Sequence, residues 1–164
     1  MFSVYKNVLR ESQYWVVWNT LRKGNWVLEG FSNEENQMPI WYKDLIHDPF
    51  WNKSFPDKIS EITGKKLVAH RVYANGQTTG QCGGLHFDDD RDNAYTFLYY
   101  VNPNWHASWG GQTVFADESG MKSYMPEANT GVFFKGTTHH VGLEPTSHFK
   151  DLRITVAAKL LEME

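Results

Sequence analysis

The triplet His86-Phe87-Asp88 is the first place in this chain where residue types and spacing could do chemistry. On an extended strand, residues i and i+2 project from one face, so an imidazole nitrogen and a carboxylate oxygen can meet a single metal ion. Much later in the chain, His139 and His140 stand side by side. On a strand these two face opposite ways, so only one can join the triplet. Counting from Val132-Phe133-Phe134 through the turn Lys135-Gly136-Thr137-Thr138 puts His140 where a return strand begins. His140 is therefore the expected third ligand and His139 the alternative. Two histidines and one carboxylate leave coordination positions open, a donor set that suits Fe(II) and the binding of small molecules to it.

Arg153-Ile154-Thr155 opens the last strand-like run. Arg153, Thr155 and Ala157 share one face of that strand, which brings a guanidinium, a hydroxyl and a small gap together. A buried arginine without an anion is an expensive charge, whereas a carboxylate held by both arms of the fork satisfies charge and donors at once. These residues read as a carboxylate socket, to which Tyr100 and Tyr73 could add phenol hydrogen bonds. The plainer alternatives are an edge salt bridge from Arg153 to Asp151 or Glu144, and a solvated turn for the acidic run Asp88-Asp89-Asp90-Arg91-Asp92.

The segments that must position these groups are mostly strands. Leu67 to Tyr73, Ala94 to Val101, Gln112 to Phe115, Gly131 to Lys135 and Leu152 to Leu161 are rich in β-branched and aromatic residues. Turn clusters separate them at Asn75-Gly76, Asn102-Pro103-Asn104, Glu118-Ser119-Gly120 and Pro126 to Asn129. Such spacing predicts a sandwich or barrel-like roll. Before it, the run Tyr14-Trp15-Val16-Val17-Trp18 reads as strand, and apolar positions between Pro39 and Gly64 recur at helical spacing, predicting one or two short helices that stop at Gly64. The Gly-rich stretch Gln77 to Gly84 could be a lid or a plain loop. Trp105 and Trp109 flank Gly110-Gly111 and could line an entrance or simply pack. His47, His70, His106 and His148 lack partner spacing and receive no role.

The chain has 164 residues, which predicts one domain over residues 1–164 with the strand-rich core at about 66–161. Its net charge is −3 and its Lys and Arg are scattered, which argues against nucleic acid or an anionic membrane as partner. No apolar block reads as a signal peptide or a bilayer span, and a cytoplasmic location is expected. Cys82 is the one cysteine, so neither an internal disulfide nor a thiolate metal cluster can form.

The region from Lys66 to Leu161 resembles the Fe(II)- and 2-oxoglutarate-dependent oxygenases, and within them the prolyl 4-hydroxylase-like branch. The matching segments are Tyr73 to His86 with its Gly-rich loop, His86-Phe87-Asp88, Leu98-Tyr99-Tyr100-Val101-Asn102 and Gly110-Gly111-Gln112-Thr113-Val114-Phe115. The resemblance implies a mostly β (α+β) fold, a double-stranded β-helix or jelly roll preceded by packing helices. It implies His86, Asp88 and His140 as iron ligands, and Arg153 as anchor of the far carboxylate of 2-oxoglutarate, with Tyr73, Tyr100 and Thr155 as further cosubstrate contacts. It also implies use of O2, release of succinate and CO2, hydroxylation of a C–H bond in a prolyl peptide or protein, and ascorbate as an auxiliary reductant. Collagen-type members use Lys where this chain has Arg153, and the oxygen-sensing prolyl hydroxylases use Arg. An alkylated-nucleobase demethylase of the same superfamily and a non-catalytic β-roll are the alternatives. A zinc hydrolase lacks a suitably spaced glutamate, and a halogenase would need the position that Asp88 holds.

Overall fold

The computed structural model describes residues 2–35 and 37–164. Its strands are β1 (Ser3–Lys6), β2 (Val27–Gly30), β3 (Ile40–Asp44), β4 (Leu67–Gln77), β5 (Ala94–Tyr100), β6 (Thr113–Asp117), β7 (Gly120–Tyr124), β8 (Thr130–Lys135), β9 (His139–Gly142) and β10 (Arg153–Glu162). Two α-helices join them, α1 (Glu11–Leu21) and α2 (Phe55–Thr63). A seven-stranded sheet in the order β1-β8-β5-β10-β4-β3-β2 faces a three-stranded sheet in the order β7-β6-β9. All their ladders are antiparallel. This is the expected mostly β jelly roll with helices against it.

Period-two alternation sorts the large sheet into two faces. Val72 and Ala74 of β4, Phe97 and Tyr99 of β5, and Ile154, Val156, Ala158 and Leu160 of β10 share one apolar cluster with the helices. The helices contribute Tyr14, Val17, Trp18 and Leu21 from α1 and Phe55 and Ile59 from α2. The opposite face turns Leu98, Tyr100 and Ala157 inward with Phe115, Val132 and Phe134, a smaller cluster between the sheets. Beside that smaller cluster lie the groups that can do chemistry.

Several elements differ from the sequence expectations. Residues 14–18 are helical, because Tyr14, Val17, Trp18 and Leu21 recur at i, i+3, i+4 and i+7 and all four are buried. Their aromatic and β-branched composition suggests strand, but periodicity outweighs it. Ile40–Asp44, expected within a helical stretch, is a strand on the edge of β4. A π-helical turn over Phe50–Ser54 then leads into α2, which closes at Gly64 with φ 70° as expected. Asn75-Gly76 is not a turn but part of β4, near its C-terminal end: a Cβ at Gly76 would stand 2.6 Å from the Leu152 side chain, so glycine serves close packing there.

Candidate metal centre

His86 and Asp88 are not on a regular strand. His86 forms a single antiparallel bridge with His140 of β9: its N–H donates to the His140 carbonyl at 3.0 Å, and its carbonyl accepts from the His140 N–H at 2.8 Å. The chain then turns, and the Asp88 and Asp89 N–H groups both donate to the Gly136 carbonyl. This loop still brings both side chains together. His86 Nε2 lies 3.4 Å from Asp88 Oδ1, and His140 Nε2 lies 3.5 Å from Asp88 Oδ2. One donor atom from each of the three residues falls within 4.8 Å of the other two. His139, the alternative, points away and packs its ring on Phe87.

The local contacts prepare each group to ligate. Nδ1 of His86 is 2.8 Å from the Gly84 carbonyl, and Nδ1 of His140 is 2.9 Å from the Thr138 carbonyl. A carbonyl can only accept, so both Nδ1 atoms carry the proton and both Nε2 lone pairs face Asp88. Burial lowers the His140 pKa from 6.5 to about 4, which keeps that ring neutral. Burial alone would raise the Asp88 carboxyl, but Lys159, His86 and His140 outweigh it and hold the group well below the usual carboxylate range. The Thr96 hydroxyl donates to Asp88 Oδ2 at 2.6 Å, and the Lys159 ammonium contacts the same oxygen. Oδ2, although 3.5 Å from His140 Nε2, is thereby occupied, and Oδ1, 3.4 Å from His86 Nε2, is the oxygen left to ligate.

At the other end of the cavity lies Arg153, 2% exposed. Its Nε donates to the Gly111 carbonyl at 2.7 Å, Nη1 to Gln77 Oε1 at 2.8 Å and Nη2 to Thr113 Oγ1 at 3.3 Å. All these acceptors are neutral, and no carboxylate among the described residues forms an ion pair with the guanidinium. Burial lowers its pKa, yet an arginine stays charged, so a buried positive charge awaits an anion. The Gly110-Gly111 step makes this possible. Gly111 has φ 72°, and a Cβ there would stand 2.8 Å from Trp105 and 3.1 Å from Arg153.

Thr155, Tyr73 and Arg153 line this cavity together with His86, His140 and Lys159. Tyr100 does not line it. Its hydroxyl donates to Thr113 Oγ1 at 2.8 Å, so it reaches Arg153 through Thr113 rather than facing the cavity. Trp105 and Trp109 pack with Phe149 behind the Gly110-Gly111 step, not at the entrance. The Gly-rich loop is tied down: Gln77 Nε2 donates to the carbonyls of Gln81 and Gly142, and Gln81 Nε2 donates to that of Pro39. A second, open cleft in front of His86 and Asp88 is walled by Phe31, Ser32 and Tyr42 from the N-terminal third and by Arg71 of β4. The roles of Lys159, Gln77 and Thr113 beside Asp88 and Arg153 were not assigned from the sequence. Lys159 was legible only through the i+2 spacing it shares with Arg153, Thr155 and Ala157 on β10, and Gln77 through that of Tyr73 and Asn75 on β4.

The donor set fits a divalent ion with open positions, and the unpaired Arg153 charge fits a carboxylate. The family model of the 2OG-Fe(II) oxygenase superfamily matches residues 64–158. A search of curated proteins finds no match. Among solved structures, a Pseudomonas putida prolyl-4-hydroxylase superposes with a TM-score of 0.73 at 15% identity, covering 99% of this chain and 93% of that one. A prolyl hydroxylase from Trichoplax adhaerens, in complex with a hypoxia inducible factor peptide fragment, gives 0.68 at 15% identity over 98% and 83% of the two chains. HygX from Streptomyces hygroscopicus, with nickel, 2-oxoglutarate and hygromycin B bound, gives 0.72 at 10% identity over 98% and 82%.

Proposed function

The chain belongs to the 2OG-Fe(II) oxygenase superfamily, and on that premise we propose that it hydroxylates an unactivated C–H bond in a prolyl residue of a peptide or protein. The balanced reaction takes substrate, 2-oxoglutarate and O2 to hydroxylated substrate, succinate and CO2. The bound iron would supply the activation of dioxygen, and the protein supplies binding and orientation. His86 Nε2, Asp88 Oδ1 and His140 Nε2 hold the metal. Arg153 receives the far carboxylate of 2-oxoglutarate, with Thr155 and Tyr73 beside it and Tyr100 steadying Thr113. Thr96 and Lys159 keep Asp88 Oδ2 occupied, so Oδ1 is the oxygen that would hold the metal. Ascorbate would act as an external reductant for iron that has lost its ferrous state. Residues 1–164 act as one oxygenase domain, with the N-terminal third building one wall of the substrate cleft.

One observation carries this reading: a buried guanidinium with no anion among the described residues faces the same cavity as His86 and His140, whose Nε2 atoms meet the Asp88 carboxylate. The prolyl assignment is supported by the likeness to the two prolyl hydroxylases and by an arginine, as in the oxygen-sensing branch, at the cosubstrate position. HygX, with hygromycin B bound, marks how widely substrates vary among similar folds. Nothing favours nucleobase demethylation in a chain of net charge −3. No helix of the described residues is long and apolar enough to cross a membrane.

The test is succinate release by the purified protein with Fe(II), 2-oxoglutarate and ascorbate across a panel of prolyl peptides, read with mass spectrometry for the gain of one oxygen atom. Stoichiometric succinate and hydroxyproline are expected. Succinate without prolyl oxidation would remove the prolyl assignment. No succinate at all would remove the oxygenase reading.

A further inference from the structure

The inward face of the large sheet carries a guanidinium at each end of the site. On β4 and β10 the cross-strand partners run Arg153 with Gln77, Thr155 with Asn75, Ala157 with Tyr73 and Lys159 with Arg71. Arg153 closes the deep end, where the cosubstrate belongs. Arg71 stands at the opposite end and lines the open cleft in front of His86 and Asp88. We propose that Arg71 binds a carboxylate of the organic substrate, so that the prolyl substrate is anionic close to the carbon that is oxidised. This inference rests on the oxygenase reading above.

Arg71 is held in place yet open to the cleft. Its guanidinium carbon lies 4.5 Å from the centroid of the Tyr73 ring and 5.9 Å from that of Tyr42, and the two rings are 5.4 Å apart. The Tyr73 ring face and a side-chain hydrogen bond to Tyr42 fix the plane of the guanidinium, and its remaining N–H donors can take a carboxylate. The ladder between β4 and β10 shifts register between Lys159 and Leu160, so His70 is the extra residue at a bulge beside Arg71. Bulges of this kind re-aim side chains and occur beside active sites. His70 lines the same cleft.

The neighbouring charges do not cancel this site. Lys159 is committed to Asp88 Oδ2, so among the described cations of the cleft Arg71 remains to meet an incoming anion. Asp89 is held by Arg91 through Nε and Nη2. Asp44 supports the Arg71 charge and spends Oδ1 on the Ile46 N–H. Glu29 stands exposed at the cleft edge.

Proximity narrows the ligand. Directly opposed residues of an antiparallel pair have Cβ atoms about 5 Å apart, so Arg71 is one cross-strand step from the lysine that touches a metal ligand. An anion on Arg71 therefore belongs to the reacting residue or its immediate neighbour. A prolyl substrate meets this with its own C-terminal carboxylate or with an adjacent acidic side chain.

The experiment uses the full chain loaded with Mn(II) and N-oxalylglycine, so that nothing turns over. Calorimetry compares two matched pairs: N-acetyl-L-proline against its amide, and acetyl-Pro-Glu-amide against acetyl-Pro-Gln-amide. The acid of at least one pair should bind about tenfold tighter than its neutral partner. The first pair reports a terminal carboxylate and the second an acidic neighbour. Arg71→Gln should erase the preference and Arg71→Lys should keep part of it. Equal affinities within both pairs, no binding by any member, or a preference that survives Arg71→Gln would each overturn the proposal. Failure of the wild-type protein to bind Mn(II) and N-oxalylglycine would instead sink the oxygenase reading, and the role of Arg71 with it.

Discussion

Alternate residues of β10 face two different worlds. Ile154, Val156, Ala158 and Leu160 point to the helices, buried among apolar side chains of α1, α2 and the neighbouring strands. Arg153, Thr155, Ala157 and Lys159 point between the sheets, where two cations and a hydroxyl line a cavity. The first face gains free energy by leaving water. The second spends some of it, since burying charge is costly unless every polar atom is partnered. Among the described residues no buried side-chain polar atom lacks a partner, and the Arg153 charge is met only by neutral acceptors. One strand thus holds the fold together through one set of residues and stores binding capacity in the other.

Substitutions on the helix face should affect stability and leave the site alone. Phe97 is fully buried between Phe55 and Phe133, and Phe97→Ala should cost about 3–5 kcal/mol in urea unfolding while Mn(II) affinity of the folded protein is unchanged. Substitutions on the inner face should do the reverse. Arg153→Gln removes the charge-assisted contact and should weaken N-oxalylglycine binding by about 1.5–3 kcal/mol in calorimetry. Its melting temperature should not fall, because an unpaired buried cation has been removed. A drop in stability equal to the drop in affinity would blur the division between the faces.

A smaller effect comes from Lys159→Met. It leaves Asp88 without its nearest positive charge, so the metal-free protein should lose about 1–2 kcal/mol of stability. Mn(II), no longer competing with an ammonium, should bind more tightly. The smallest effect is a slope with pH. His140 is held neutral with its pKa lowered from 6.5 to about 4, so between those values the unfolded chain takes up a proton that the folded chain refuses. Metal-free stability should therefore fall as pH drops from about 6.5 toward about 4, and His140→Gln should flatten that part of the profile in urea melts.

The convergence of His86, Asp88 and His140 and the inward place of Arg153 were legible in the sequence because their signals are local: an i, i+2 pair, a turn that could be counted, and an alternating strand. A sandwich or barrel-like roll was legible from the spacing of β-rich runs, and the family resemblance narrowed it to a jelly roll. Helix α1 was not, since Tyr14 to Trp18 is composed like a strand and only its burial pattern reveals the period. Gly76 looked like a turn residue because close packing against Leu152 leaves no trace in the sequence. Thr96, Thr113 and Gln77 matter through partners far along the chain, and such pairings exist only once the sheets form. The N-terminal contribution of Ser32 and Tyr42 depends on β3 joining the edge of β4, a long-range pairing with no local signal.

The most direct measurement is anomalous scattering from a crystal grown with Mn(II) and N-oxalylglycine. A single peak within ligand distance of His86 Nε2, Asp88 Oδ1 and His140 Nε2, with the far carboxylate of N-oxalylglycine on the Arg153 guanidinium, is the expected result. A peak bound elsewhere, or a carboxylate that leaves Arg153 without an anion, would contradict it.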